Sequence, residues 1–246
     1  MKIALAEFNP KNNKPEINTQ KMIEIINQAE EDIDLIVFPE MAFTGFTMNR
    51  ELHSSQDVES VIKKAKSKNS AVLFGWIEKD GANFYNSSTF FDPELNKSHK
   101  YRKRKLFTYR EEEKYYTTGQ SSISYEYKGH SISHLICYDL RFPELFRETK
   151  GVDIFIVIAC WPKSRKDHWN TLLKARAIEN QAFVIGVNRS GIGEIGEDYG
   201  HLSTAFNYMG NEMVLEQTKN VKYLEINDDY FKSLNDWREK FPVLKE

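Results

Sequence analysis

The chain has 246 residues, 40% hydrophobic and 13% aromatic, which is enough for one large core and marginal for two, so a single domain over 1–246 is expected. A formal net charge of −2 excludes a basic footprint for nucleic acid or a polybasic membrane patch and makes a small molecule the default partner. The two cysteines, Cys137 and Cys160, lie in apolar runs and rule out a disulfide framework; with no charged-then-apolar leader and no apolar run of bilayer length, a soluble cytoplasmic protein is expected.

KIALAEF at 2–8 reads as a strand. After a polar loop, Met22, Ile25, Ile26 and Ala29 fall at the i, i+3, i+4, i+7 spacing of one buried helix face. LIVF at 35–38 is a strand without polar alternation, as expected of one covered on both sides; it stops at Pro39, and Glu40 follows. Next come a helix over 58–67, strands over 71–78 and 83–91 joined at Asp80-Gly81, and a basic strand over 97–107. The stretch 108–119 is a charged, Tyr-rich loop carrying Glu111, Glu112 and Glu113. Strands over 122–127 and 131–138 flank Lys128-Gly129, and the second delivers Cys137 at its carboxyl end, where α/β proteins keep their chemistry. A short helix over 143–149 opens on Pro143. DIFIVIACWP at 153–162 is another apolar strand, and the helix after it is predicted from Asp167 as N-cap to Gln181, with Trp169, Leu172, Leu173 and Ala177 on one side. FVIGVN at 183–188 is a strand, and 190–200 is a glycine-rich loop of functional length. Strands over 203–206, 212–216 and 221–226 follow, and a helix over 229–240 docks through Tyr230, Leu234 and Trp237. Many strands beside few helices predict two sheets packed together with helices outside.

A single cysteine is most often a buried structural thiol. Cys137 rises above that prior because LIVFPE at 35–40 and HKYRKRKLF at 99–107 share its pattern, a charged residue at or just beyond the end of a strand-like run. A Cys–His dyad is disfavoured, since His134 lies on the same strand and points to the opposite face. No CxxC, HxH or HExxH spacing suggests a metal, and no GxGxxG or P-loop suggests a nucleotide; G-I-G-E-I-G at 191–196 reads as a flexible loop. Glu40, between an apolar strand and MAFTGF, is expected to be half-buried against aromatics, where desolvation prepares a carboxyl to take and give protons near neutral pH. In the basic run, alternation puts Arg102 and Arg104 on one side and Tyr101, Lys103 and Lys105 on the other, and parity does not choose between Lys103 and Lys105.

FPE around Glu40, YRK around Lys103 and LICYDLRFPE around Cys137 resemble, in order and spacing, the three blocks of the nitrilase superfamily of carbon–nitrogen hydrolases. The similarity continues through HW..LL.ARAIENQ.FV..VNR at 168–189 to WREKFPV at 237–243. The resemblance implies an α/β fold, a four-layer α-β-β-α sandwich of two mixed sheets that pairs into a homodimer, with a Glu40–Lys103–Cys137 triad and no metal or organic cofactor. It also singles out a second glutamate seven residues before a glycine, here Glu112 ahead of Gly119. CYDLRFPE, Trp161-Pro162 and NRSG at 188–191 are most similar to the bacterial ω-amidases, which act on α-keto acid amides such as 2-oxoglutaramate. Another superfamily amidase, an N-carbamoyl hydrolase or a nitrilase is the alternative, and a non-catalytic binding protein on the same fold is the alternative of another class. Two departures bear on substrate preference: Lys105 stands where relatives commonly have histidine, and Cys160 where ω-amidases often carry asparagine.

A free thiol with a pKa of about 8.5 is mostly protonated at neutral pH and needs a base or a nearby positive charge to attack an amide. On the implied triad Glu40 is that base, the Lys103 ammonium and the backbone N–H of Tyr138 hold the oxyanion, and Glu112 orients Lys103 or the hydrolytic water. An α-keto acid amide also needs a grip on its carboxylate. Arg141 and Lys105 are candidates, although Arg141 would equally hold the turn by pairing with Asp139 or Glu144, and Trp161 is expected to wall the pocket.

Overall fold

The computed structural model describes residues 1–53, 55–218 and 221–245. The chain runs β1 (Lys2–Ala6), α1 (Pro15–Gln28), β2 (Leu35–Val37), α2 (Ser55–Lys68), β3 (Ala71–Asp80), β4 (Asn83–Asp92), β5 (Lys97–Arg102), β6 (Tyr125–Tyr127) and β7 (His130–Ile136). It continues through α3 (Pro143–Arg147), β8 (Ile154–Ala159), α4 (Lys166–Asn180), β9 (Phe183–Asn188), β10 (Thr204–Phe206), β11 (Glu216–Thr218), β12 (Val221–Glu225) and α5 (Asp228–Lys240).

Two mixed sheets form, one of seven strands in the order β11-β12-β1-β2-β3-β4-β5 and one of five in the order β10-β9-β8-β7-β6. Side-chain alternation assembles the layers, because successive residues of a strand face opposite sides. In β1, Ile3 and Leu5 face the second sheet, while Ala4 and Ala6 join Met22 and Ile26 of α1 and Val61 of α2. In β8, Ile154, Ile156 and Ile158 fill the space between the sheets, while Phe155 and Val157 pack with Trp169 and Leu173 of α4. The result is the α-β-β-α sandwich the resemblance implied. Each fully buried aliphatic or aromatic side chain contributes roughly 1.5–3 kcal/mol of transfer free energy.

Strand direction brings the chemistry to one edge. β1, β2 and β3 are mutually parallel, as are β7, β8 and β9. β5 pairs antiparallel with β4, which pairs antiparallel with β3, so β5 runs in the same sense as β3. Glu40 therefore follows the carboxyl end of β2, Lys103 that of β5, Cys137 that of β7 and Cys160 that of β8.

Several boundaries differ from the sequence reading. The basic strand stops at Arg102 instead of continuing to 107, because Asp139 Oδ1 captures the Lys105 N–H at 2.8 Å and peels the chain away from β4. Cys137 is not in β7: it opens a 3₁₀ turn with φ +47°, while Asp139 Oδ2 accepts the Ile136 N–H at 3.1 Å and curls the chain back. Residue 212 makes only an isolated bridge to Phe206, and the strand begins at Glu216. α4 has Arg165 as its N-cap, with Asp167 inside the first turn, where its charge still complements the helix dipole. α5 docks through Phe231 and Leu234, leaving Tyr230 42% exposed. Among the described residues no helix is long and apolar enough to cross a membrane.

Candidate active site

The turn after β2 carries Glu40. Gly75 of β3 lies beneath it, and a Cβ there would stand 2.6 Å from the Met41 nitrogen and 2.7 Å from the Glu40 Cα, so the close approach of the two backbones requires glycine. Phe38 N–H donates to the Leu73 carbonyl, and Gly75 N–H to the Pro39 carbonyl at 3.1 Å, which fixes the carboxylate's exit angle. Lys103 continues from β5, its N–H donating to the Asn86 carbonyl at 2.8 Å. Gly119 closes the other side: its N–H donates to the Lys103 carbonyl, and a Cβ would fall 2.1 Å from the Arg102 carbonyl oxygen. Glu112 arrives on a 3₁₀ turn and is pinned by the Phe107 N–H at 2.6 Å.

These side chains converge. Lys103 Nζ donates to Glu40 Oε1 at 2.9 Å and to Glu112 Oε2 at 2.9 Å. Glu40 is fully buried, not half-buried as its sequence context suggested, and Lys103 and Glu112 are buried with it. An ammonium shared by two carboxylates escapes the cost of an unpaired buried charge. Burial works to lower the Lys103 pKa, but the charges of Glu112 and Glu40 outweigh it and hold the ammonium well above its ordinary range. Lys103 is therefore a permanent cation.

Sequence reasoning missed Asn86. Its Nδ2 donates to Glu40 Oε1 at 2.7 Å and to Glu112 Oε1 at 2.8 Å, bridging the two acids that share the lysine. The available signal was the polar run NSS at 86–88, buried inside a strand otherwise rich in aromatics. The backbone of Cys160 was missed too: its N–H donates to Glu40 Oε2 at 2.9 Å and its thiol to the Glu40 carbonyl at 3.3 Å.

Cys137 lies partly open on a cavity of about 260 Å³ that Lys103, Cys160, Trp161, Tyr138 and Phe46 also line. Burial, then the Glu40 charge, pushes its thiol pKa well up, and Lys103 only partly opposes them. The resting group is thus the neutral thiol, and a thiol in that state needs a base to act as a nucleophile. Its left-handed backbone costs on the order of 1–2 kcal/mol for a residue with a Cβ, strain of the kind found at nucleophile turns.

Asp139 supports the turn from below. It is fully buried, accepts from Ile136 N–H, Lys105 N–H and the Tyr101 hydroxyl, and burial raises its pKa to about 6. Arg141 consequently pairs with neither Asp139 nor Glu144; it lies 4.8 Å over the Trp161 ring, with Nη2 3.3 Å from His168 Nδ1, and it lines the cavity. Lys105 takes Glu144 instead, at 3.2 Å, and is not among the cavity-lining residues. Trp161 does wall the cavity while also packing 5.4 Å from Trp169. His134 faces the core between the sheets, its Nδ1 2.9 Å from the Tyr125 hydroxyl, away from Cys137. The glycine-rich loop supplies Ile195, Glu197 and Tyr199 to the cavity wall, and Glu197 is ion-paired with Arg110. Among the described residues no group of three or more His, Cys, Asp and Glu side chains is placed to hold a metal ion.

Sandwich and site together define a class. The carbon–nitrogen hydrolase family profile matches residues 2–222, and the chain belongs to that family. Within it, the chain is 34% identical over 207 residues to 2-oxoglutaramate amidase of Bacillus subtilis (strain 168), covering 81% of this chain and 80% of that one. It is 33% identical over 216 residues to omega-amidase YafV of Escherichia coli (strain K12), covering 87% and 84%. Among solved structures, XC1258 from Xanthomonas campestris, a CN-hydrolase superfamily protein with an arsenic adduct in its active site, superposes with a TM-score of 0.91 at 26% identity, over 99% of this chain and 96% of that one.

Proposed function

We propose that this protein is an ω-amidase that hydrolyses the terminal amide of a small α-keto acid amide such as 2-oxoglutaramate to the 2-oxo dicarboxylic acid and ammonia. The observation that carries this reading is the buried Glu40–Lys103–Glu112 cluster beside the Cys137 thiol, in a chain about one-third identical to named ω-amidases. Glu40 accepts the thiol proton as sulfur bonds to the amide carbon. Its oxygens already receive three N–H donors, but a carboxylate offers about four lone-pair sites, which leaves one for the thiol. The Lys103 ammonium and the Tyr138 N–H hold the negative oxygen of the tetrahedral intermediate. As the C–N bond breaks, the Glu40 proton passes to nitrogen and ammonia leaves. Water then attacks the thioester, Glu40 takes its proton, and the C–S bond breaks to return the carboxylic acid and the thiol. Glu112 and Asn86 position Lys103 and Glu40 throughout.

Arg141 is the residue on this reading that takes the substrate carboxylate, its planar fork suiting two parallel hydrogen bonds. Ammonia release measured for 2-oxoglutaramate, glutamine, an aliphatic amide and a nitrile tests the reading. The expected order has 2-oxoglutaramate first by kcat/KM, with all turnover gone in Cys137→Ala; equal or faster turnover of a nitrile or an N-carbamoyl compound would overturn it.

Two further features belong to this proposal. The free thiols Cys137 and Cys160 suit a reducing cytoplasm. Ile178 of α4, Met209 and Phe241 are 48%, 45% and 54% exposed around the carboxyl end of α4, an apolar surface consistent with pairing through the helices into a homodimer. Light scattering on the purified protein should give twice the chain mass; a monomer at micromolar concentration contradicts pairing.

A further inference from the structure

The cavity walls carry an uneven balance of charge. Lys103 is compensated by Glu40 and Glu112, and Arg110 by Glu197. Arg141 and Arg165 also line the cavity, and among the described residues no carboxylate lies within ion-pair distance of either. Aromatic rings hold them instead. The Arg141 guanidinium lies 4.8 Å over Trp161, and that of Arg165 lies 5.6 Å from the centre of Phe107. A ring face secures a guanidinium through its flat side and leaves the in-plane N–H edge available to an incoming anion, an edge that in Arg141 also has His168 Nδ1 3.3 Å from Nη2. Trp161 ties the two together, because its indole N–H donates to the Arg165 carbonyl at 2.8 Å while its ring carries Arg141. Arg165 is moreover the N-cap residue of α4, so its backbone is set by the helix.

We propose that Arg165 is a specificity-determining residue that, together with Arg141, binds the carboxylate end of the substrate, so that this site selects short amides whose far end is anionic. The proposal rests on the ω-amidase reading and extends it. A cavity of about 260 Å³ has room for a short-chain acid amide and little more, so a substrate whose amide reaches Cys137 has its other end at the arginine-bearing wall. Two positive charges there, half-buried against aromatic faces, attract an anion more strongly than they would in open water.

Two readouts test this on the full-length enzyme. The first is the ratio of kcat/KM for 2-oxoglutaramate to that for an uncharged aliphatic amide of similar length. In Arg165→Gln this ratio should fall about 10-fold or more, mainly through KM, as expected for loss of a charge-assisted hydrogen bond. Arg165→Lys should restore part of it, since a point charge attracts the anion without the bidentate fork. An unchanged ratio, or equal losses on both substrates, would overturn the role. The second readout needs no turnover: protection of Cys137 from iodoacetamide by 2-oxoglutarate. Protection should need roughly 10-fold more 2-oxoglutarate in Arg165→Gln than in the wild type. If protection depends on Arg165 while the wild type shows no preference for 2-oxoglutaramate, the arginine pair stands and the ω-amidase reading falls. If the preference is present and protection is indifferent to Arg165, the arginine proposal falls alone.

Discussion

Asn86 is where two like charges meet. Glu40 and Glu112 both approach Lys103, and the single Asn86 amide donates to an oxygen of each. Removing that amide leaves two buried carboxylates each short of a donor, a change worth roughly 1.5–3 kcal/mol for a bond to a charged group. Asn86→Ala is therefore expected to lower kcat about 10- to 100-fold with a smaller change in KM, because the base is displaced and the carboxylate end of the cavity is not. Steady-state ammonia release checks this, and wild-type kcat would show that the bridge is idle. His134 makes the second prediction at this scale. Burial lowers its pKa from 6.5 to about 3, so its share of stability is complete above pH 6.5 and is lost as pH falls toward 3, by up to roughly several kcal/mol. Asp139 has the opposite sign: raised from 3.8 to about 6, it stabilises fully below pH 3.8 and loses that share as pH rises through about 6. Between about pH 6 and 4 the two shares nearly offset each other, so the wild-type denaturant midpoint is expected to stay almost level there, whereas in His134→Gln, with only the Asp139 share left, it should rise as pH falls from 6 to 4. A midpoint in the variant as level as that of the wild type would contradict this assignment.

At the scale of elements, the site depends on strand ends that stop at the right residue. Cys137 occupies a left-handed turn that glycine tolerates without the Cβ penalty. Cys137→Gly should consequently be more stable to denaturant than Cys137→Ala by about 1 kcal/mol, although both lack the thiol. Equal stability would show the turn to be unstrained. Gly75→Ala should act in the other direction, forcing the Glu40 turn off β3; overpacking of this kind costs roughly 1–3 kcal/mol and should reduce turnover with it. The strands themselves were legible, because apolar runs such as IFIVIA in β8 have few other uses. Their ends were less so. Nothing local announces that Asp139 reaches back to the Ile136 and Lys105 N–H groups, yet those two bonds end β7 before Cys137 and turn the chain away after β5. The docking face of α5 was read correctly at Leu234 but not at Tyr230, for a similar reason: Phe231 is buried instead and stacks on His130, which only the tertiary fold brings near.

For the whole molecule, two sheets share one continuous core, to which β1, β2 and β3 contribute from one side and β7, β8 and β9 from the other. A single cooperative transition in guanidinium, followed by tryptophan fluorescence and circular dichroism together, is expected; separated transitions would mean that the sheets unfold independently. That Glu40, Lys103 and Cys137 come together was legible in the sequence, because each follows a recognisable strand and sits in a family block. Their surroundings were not: Asn86 is a buried polar residue of β4, Arg110 pairs with Glu197 of a distant loop, and Arg165 meets Phe107 only in the folded chain. The central claim is that Cys137 takes the acyl group before water does. Mass spectrometry of enzyme acid-quenched during turnover of 2-oxoglutaramate measures it directly. The account predicts one 2-oxoglutaryl group, carried on Cys137 and lost on treatment with hydroxylamine; ammonia release by a Cys137→Ala protein at the wild-type rate, with no adduct on either, would contradict it.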